Sequence, residues 1–155
     1  MLFDDWSDQR GCIMGVDRWR RFYKERLARI YEKIHRAGKK VVNHVCGSVA
    51  PLIPDLVEIG LDVLESCQPE ADNMNPYELK RKYGDKLAFW GGLGVQQMVP
   101  YGTPDEIRHE IRKLRTEMSA GGGYILAPSK ELNRSVPVEN LLAIYRTIRQ
   151  NTLIH

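Results

Sequence analysis

The sequence predicts an α/β fold in which about four to five parallel strands alternate with helices. Two observations carry this. Short apolar runs alternate along the chain with amphipathic helical stretches, and Gly, Pro or Asp marks the joints between them. A third observation concerns the start: Met1-Leu2-Phe3 offers only three apolar residues before Asp4-Asp5, the tail of a strand rather than a whole one.

The elements follow in order. A helix over about 17–36 is expected from the spacing of Trp19, Phe22, Tyr23, Leu27, Ile30, Tyr31 and Ile34, which form an apolar stripe near the helical period. Ala37-Gly38 ends it, and a strand begins over 40–43. A second helix runs from Pro51 or Leu52 to Ile59 and stops at Gly60, and 62–65 reads as a short strand. Asn75-Pro76 supplies an N-cap with proline in the first helical position, opening a helix to about Tyr83. The pattern repeats with a strand over 87–91, a helix from Thr103-Pro104 to about Met118, a strand over 123–127 and a last helix over about 137–150. Parallel strands joined by right-handed helical crossovers are the economical arrangement. A closed (β/α)8 barrel needs about 250 residues, so these 155 residues supply about half of one. The chain is expected to be a single domain over 1–155 that begins partway through a larger fold.

Composition narrows the function classes. Charged residues make up 28% and hydrophobic ones 43%, the balance of a soluble globular protein. A formal net charge of +3 does not imply nucleic acid. The basic residues over 18–40 interleave with Glu25 and Glu32 at helical spacings, as on a solvated helix face. No apolar run approaches the roughly 20 residues of a membrane helix, and the opening does not read as a signal peptide. Three irregularly spaced cysteines make no disulfide framework, so a cytoplasmic setting is expected.

The densest chemistry lies in Val41-Val42-Asn43-His44-Val45-Cys46-Gly47-Ser48. Side chains alternate along a strand, so His44 and Cys46 project from one side, at the C-terminal end where α/β folds build their sites. Imidazole and thiolate are zinc ligands. Further ligands are sought in Glu65, Cys67 and Glu131, each near an expected strand end. Asp4 and Asp5 form a carboxylate pair suited to a cation or to general base work, and Gln96, Gln97 and Tyr101 lie in a long loop after a strand. Gly121-Gly122-Gly123 precedes a strand, so it is a helix-to-strand connection and not a phosphate loop.

Beyond these single features, His44-Val45-Cys46-Gly47-Ser48 with Pro51-Leu52-Ile53-Pro54, Gln68-Pro69, Phe89-Trp90-Gly91-Gly92, Gly102-Thr103-Pro104-Asp105-Glu106, Tyr124-Ile125-Leu126-Ala127-Pro128 and Val136-Pro137-Val138-Glu139-Asn140 resemble the uroporphyrinogen decarboxylase superfamily. The resemblance implies the C-terminal half of a (β/α)8 TIM barrel. It implies one of two chemistries: decarboxylation of the acetate arms of a porphyrin precursor, or zinc-assisted methyl transfer between small methylated compounds, corrinoid proteins and thiols. His44 and Cys46 look like the methyltransferase pattern. Residues 127–131 contribute no cysteine, and Lys130 stands where many relatives carry a histidine.

The expectation is therefore a zinc-dependent methyltransferase with His44, Cys46 and Cys67 as metal ligands and Asp4, Asp5 and Glu65 as catalytic carboxylates. Gln68, Trp90 and Gln96 would contact a small-molecule substrate, and a corrinoid protein would be a partner. The alternatives are decarboxylation and a non-catalytic half-barrel. Unpaired strand edges predict association, either with a second copy or with a partner that supplies the missing half.

Overall fold

The computed structural model describes residues 1–150; the last five residues of the expected domain lie outside the described residues. Five strands form one sheet in the order β1-β2-β3-β4-β5, every neighbouring pair parallel. They are β1 (Leu2–Phe3), β2 (Val42–His44), β3 (Val63–Cys67), β4 (Ala88–Leu93) and β5 (Tyr124–Pro128). Sequential order with helical connections is the arrangement of a barrel wall, and a partial (β/α)8 barrel fits it.

Between β1 and β2 the chain is helical through α1 (Val16–Trp19), a π turn (Arg20–Lys24) and α2 (Glu25–Arg36). The expected stripe narrows. Trp19, Leu27 and Tyr31 are buried, whereas Phe22 and Ile30 lie on the exposed shoulder of the helix. Arg20 and Lys24 both reach the buried carboxylate of Asp55, Nε of Arg20 at 3.0 Å from Oδ2 and Nζ of Lys24 at 2.7 Å from Oδ1. Asp55 belongs to α3 (Ile53–Glu58), which follows a single 3-10 turn at Ala50–Leu52. This ion triad fixes the first helical layer against the second.

The later helices are set by their caps. Oδ1 of Asn75 accepts from the backbone N–H groups of Tyr77 and Glu78 at the start of α4 (Pro76–Tyr83). Thr103 and Glu106 form a reciprocal capping box at the start of α6 (Pro104–Met118). That helix buries Ile107, Ile111, Leu114 and Met118, spaced three or four apart, in the core. The last helix, α7 (Val138–Gln150), packs on α6 through Ala143, Ile144 and their neighbours. The sequence did not reveal α5 (Met98–Tyr101), a short helix in the loop after β4 with Pro100 inside it.

The register positions the site. Phe3, His44, Glu65, Trp90 and Ile125 are successive partners across all five strands, a row with one residue per strand. Cross-strand partners share a sheet face, so this row lines one side of the sheet near the C-terminal ends of its strands. The opposite face carries Asn43, Leu64 and Phe89 into the helix-covered core, where the Tyr31 hydroxyl donates to Oδ1 of Asn43 at 3.0 Å.

Candidate metal centre

His44 ends β2, and its ring is held on both sides. Nδ1 is bonded to the Glu65 carboxylate, its direct cross-strand partner. With the Nδ1 proton directed to that carboxylate, Nε2 carries its lone pair toward Sγ of Cys46, 3.1 Å away. Oδ1 of Asp5 lies 3.9 Å from the same Nε2 and accepts from the backbone N–H of Cys46 at 3.1 Å. The tilted ring of Phe3 packs beside the imidazole, centroids 5.5 Å apart.

Asp5, His44 and Cys46 are thus three potential ligands whose donor atoms all lie within 4.8 Å of one another. A tetrahedral zinc with bonds of about 2.0–2.3 Å spaces its ligand atoms about 3.3–3.8 Å apart. The separations of 3.1 and 3.9 Å bracket that spacing. One oxygen, one nitrogen and one sulfur donor with a carboxylate behind the imidazole suit zinc, and three protein ligands leave a fourth position open.

The loop carrying Cys46 is tightly held. Ser7 Oγ donates to the Cys46 carbonyl at 2.6 Å, Gly47 N–H to Oε1 of Gln68 at 3.0 Å, and Ser48 N–H to the Asp8 carbonyl at 2.7 Å. Gly47 has φ +80°, and a Cβ there would meet the Asp8 carbonyl oxygen at 2.3 Å, so only glycine fits.

Electrostatics differ across the group. The Asp5 carboxyl is held below its ordinary range, chiefly by the Cys46 N–H and then by the Cys46 thiol and the Lys130 ammonium. Burial pushes the Cys46 thiol up, opposed by the Lys130 ammonium. A cavity of about 460 Å³ opens over these groups, lined by Phe3, Asp5, His44, Cys46, Glu65 and Trp90 with Pro128, Lys130 and Glu131 from the far end of the sheet.

The other expected site residues fall elsewhere. Asp4 is separated from Asp5 because adjacent residues of an extended chain point opposite ways. Its carboxyl is raised by burial and then by Asp5, and its charge acts on Tyr31 in the helix-covered layer. Cys67 was expected to share a face with Glu65. A register shift between Glu65 and Cys67 interrupts the alternation, and Cys67 packs in the apolar core. Burial pushes its thiol up to about 12, and it stands outside the three-ligand group.

Gln68 is buried, its Oε1 supporting the Cys46 loop from below. Gln96 is exposed and lines a neighbouring cavity of about 480 Å³ that also includes Lys130 and Glu131. Trp90 lines the cavity over the three ligands. Lys130 was not among the expected site residues; the available signal was its place two residues beyond a strand's C-terminal end.

Comparison with known proteins adds the ancestry. The uroporphyrinogen decarboxylase (URO-D) family model matches residues 1–151. A methylated-thiol–coenzyme M methyltransferase of Methanosarcina mazei is 24% identical over 110 residues, which are 71% of this chain and 28% of that protein. A methylcobamide:CoM methyltransferase of Methanosarcina barkeri is 26% identical over 85% of this chain and 36% of its own length. A uroporphyrinogen decarboxylase of Thermus thermophilus is 25% identical over 96% of this chain and 40% of its own length. Among solved structures, a methyltransferase from Methanosarcina mazei superposes with a TM-score of 0.63 at 23% identity, covering 86% of this chain and 37% of its own. That likeness shows the fold. The chain spans two fifths or less of the length of each of these proteins.

Proposed function

The chain belongs to the uroporphyrinogen decarboxylase family, and on that premise we propose that it serves zinc-dependent methyl transfer to or from a small thiol. The observation that carries this reading is the aim of His44. Its Nδ1 is tied to Glu65, and its Nε2 faces Cys46 and Asp5 at ligand spacing. A carboxylate behind a metal-binding imidazole fixes the tautomer and raises the basicity of the ligating nitrogen. The two Methanosarcina relatives are named for methyl transfer involving coenzyme M, one from a methylated thiol and one from methylcobamide.

Asp5, His44 and Cys46 would hold the zinc, and Cys46 gives up its thiol proton on ligation. Bound zinc supplies a Lewis acid that keeps a substrate thiol as thiolate at neutral pH. The residues of the chain do the rest. Glu65 fixes the ring plane of His44. Phe3 and Trp90 wall the cavity. The loop from Val45 to Ser48 is locked by Gln68, Ser7 and Asp8, so Cys46 does not drift from its partners. The cavity admits a small substrate and opens outward, as presentation of a methyl group by a corrinoid protein requires.

Demethylation of methylcobamide in the presence of a small thiol, followed through the corrinoid's visible spectrum, tests this function. Turnover that disappears in Cys46→Ala supports it. A zinc-loaded protein that leaves methylcobamide unchanged contradicts it.

Decarboxylation is the second reading, favoured by the Thermus thermophilus relative that aligns with nearly the whole chain. A substrate with many carboxylates calls for a mouth rich in arginine. Among the described residues, the cavity lining instead carries Asp5, Glu65 and Glu131 with one lysine and no arginine. Release of carbon dioxide from uroporphyrinogen would establish this reading in place of the first.

The proposed partners extend the same account. Phe3 is 70% exposed and Ile125 45% exposed on the two edge strands, and Val138 and Tyr145 stand out from α7. A second copy, or a chain bearing further strands, would cover these surfaces around a domain formed by the whole chain. No helix among the described residues is long and apolar enough to cross a membrane.

A further inference from the structure

A separate cavity of about 460 Å³ shares no lining residue with the one over His44 and Cys46. Its walls come from the loop after β3, the C-terminal end of β4 with the segment that follows it, α5, and the first two turns of α6. Neither edge strand contributes to it. Pro69, Met98 and Tyr101 form an apolar wall, and Tyr101 is 75% exposed. Glu70, Glu106 and Glu110 add three carboxylates, and no lysine or arginine among the described residues lines the cavity.

Each carboxylate is anchored through one oxygen. Oε1 of Glu70 accepts from the Gln96 N–H at 2.8 Å, and Oε2 of Glu106 accepts from the Thr103 N–H at 2.7 Å. Oε1 of Glu110 accepts from the Tyr77 hydroxyl at 2.7 Å. Glu70 lies against the bare backbone of Gly94, where a Cβ would stand 2.5 Å from Oε1. Oε2 of Glu70 is buried and has no hydrogen-bond partner among the described residues, a costly state for a carboxylate oxygen. Lys113 does not neutralise the group; its Nζ sits over the Tyr77 ring, 4.1 Å from the centroid, and does not line the cavity.

We propose that this cavity is a binding site for a linear diamine or polyamine. The three carboxylates do not converge on one point: among the described residues, only Asp5, His44 and Cys46 gather ligand atoms within 4.8 Å of one another. A single metal ion therefore does not reach all three. Glu106 and Glu110 stand one turn apart on α6, and Glu70 arrives from another loop. Ammonium groups separated by methylenes match carboxylates separated by an apolar wall. Each ammonium gains a charge-assisted hydrogen bond. The methylenes lie against Pro69 and Met98, and the Tyr101 ring attracts the cation further. A monoamine satisfies one carboxylate only, and a compact metal dication gains no apolar contact.

Calorimetric titration of the full chain with spermidine, n-butylamine and magnesium chloride tests this, at about 0.15 M salt to screen loose attraction to surface acids. Spermidine is expected to bind at least about tenfold more tightly than either of the others. Glu70→Gln and Glu110→Gln should each weaken it about fivefold or more, whereas the exposed Glu139→Gln on α7 should leave it unchanged. Tyr101→Ala removes an exposed side chain, so it tests the wall without endangering the fold; it should weaken spermidine about threefold or more. Thermal melts confirm that each variant is folded. No preference for spermidine over n-butylamine or magnesium would overturn the proposal. So would affinity undiminished in the folded cavity variants, or lost equally in Glu139→Gln.

Discussion

Nδ1 of His44 and the carboxylate of Glu65 are joined across adjacent strands, from residues that are direct register partners. The bond turns a sheet contact into control of a ring nitrogen, because it decides which nitrogen of the imidazole is free to face Cys46 and Asp5. Glu65→Ala is expected to weaken zinc binding by about 10- to 100-fold. Competition against a chromophoric chelator measures this, and unchanged affinity would show that the ring is held by other means.

The three cysteines should separate by reactivity. Cys67 is fully buried with its thiol pushed up to about 12, while Cys12 and Cys46 are only partly covered. Alkylation of the folded, metal-free protein should modify Cys12 and Cys46 and reach Cys67 only on unfolding. Cys67→Ala should cost about 1 kcal/mol of stability and leave zinc stoichiometry intact. Loss of zinc in that variant would place Cys67 among the ligands after all.

Gly47 couples the loop to the site. Gly47→Ala forces a side chain at φ +80° against the Asp8 carbonyl. It should destabilise the protein by about 1–3 kcal/mol and reduce zinc occupancy by displacing Cys46. Thermal melts with elemental analysis of the same sample read both effects. A fully occupied, equally stable variant would contradict the clamp.

Asp55 gives an acid dependence remote from the site. Burial raises its carboxyl, but Arg20 and Lys24 more than offset this and hold it below its ordinary value of 3.8. The unfolded state therefore takes up a proton first as pH falls. The stabilisation is complete above the unfolded value and is lost as pH drops toward the folded one. Asp55→Ala should destabilise the protein at pH 7, and its stability should fall less steeply than wild type below pH 4. Denaturant titrations at several pH values test this; parallel pH profiles would contradict it.

Much of the fold was legible because local signals and global topology agree. The caps at Asn75 and Thr103 mark helices to the residue, and the alternating apolar runs give the strands. Strand alternation also puts the His44 and Cys46 side chains on one side, where they meet. What escaped depends on neighbours in space. Asp5 meets Cys46 only because β1 pairs with β2, and Lys130 meets them only because the sheet curls. Cys67 was misplaced because the alternation rule fails across the register shift in β3. From α1 through the π turn to α2 the apolar stripe is wider than the buried face, so Phe22 and Ile30 remain outside.

Asp5, His44 and Cys46 are proposed to bind one zinc ion together. Elemental analysis of protein purified under reducing, chelator-free conditions, compared with a His44→Ala/Cys46→Ala double variant, tests it directly. Near-stoichiometric zinc is expected in wild type and none in the double variant. A wild type without metal after zinc reconstitution, or a double variant that retains it, would contradict the claim.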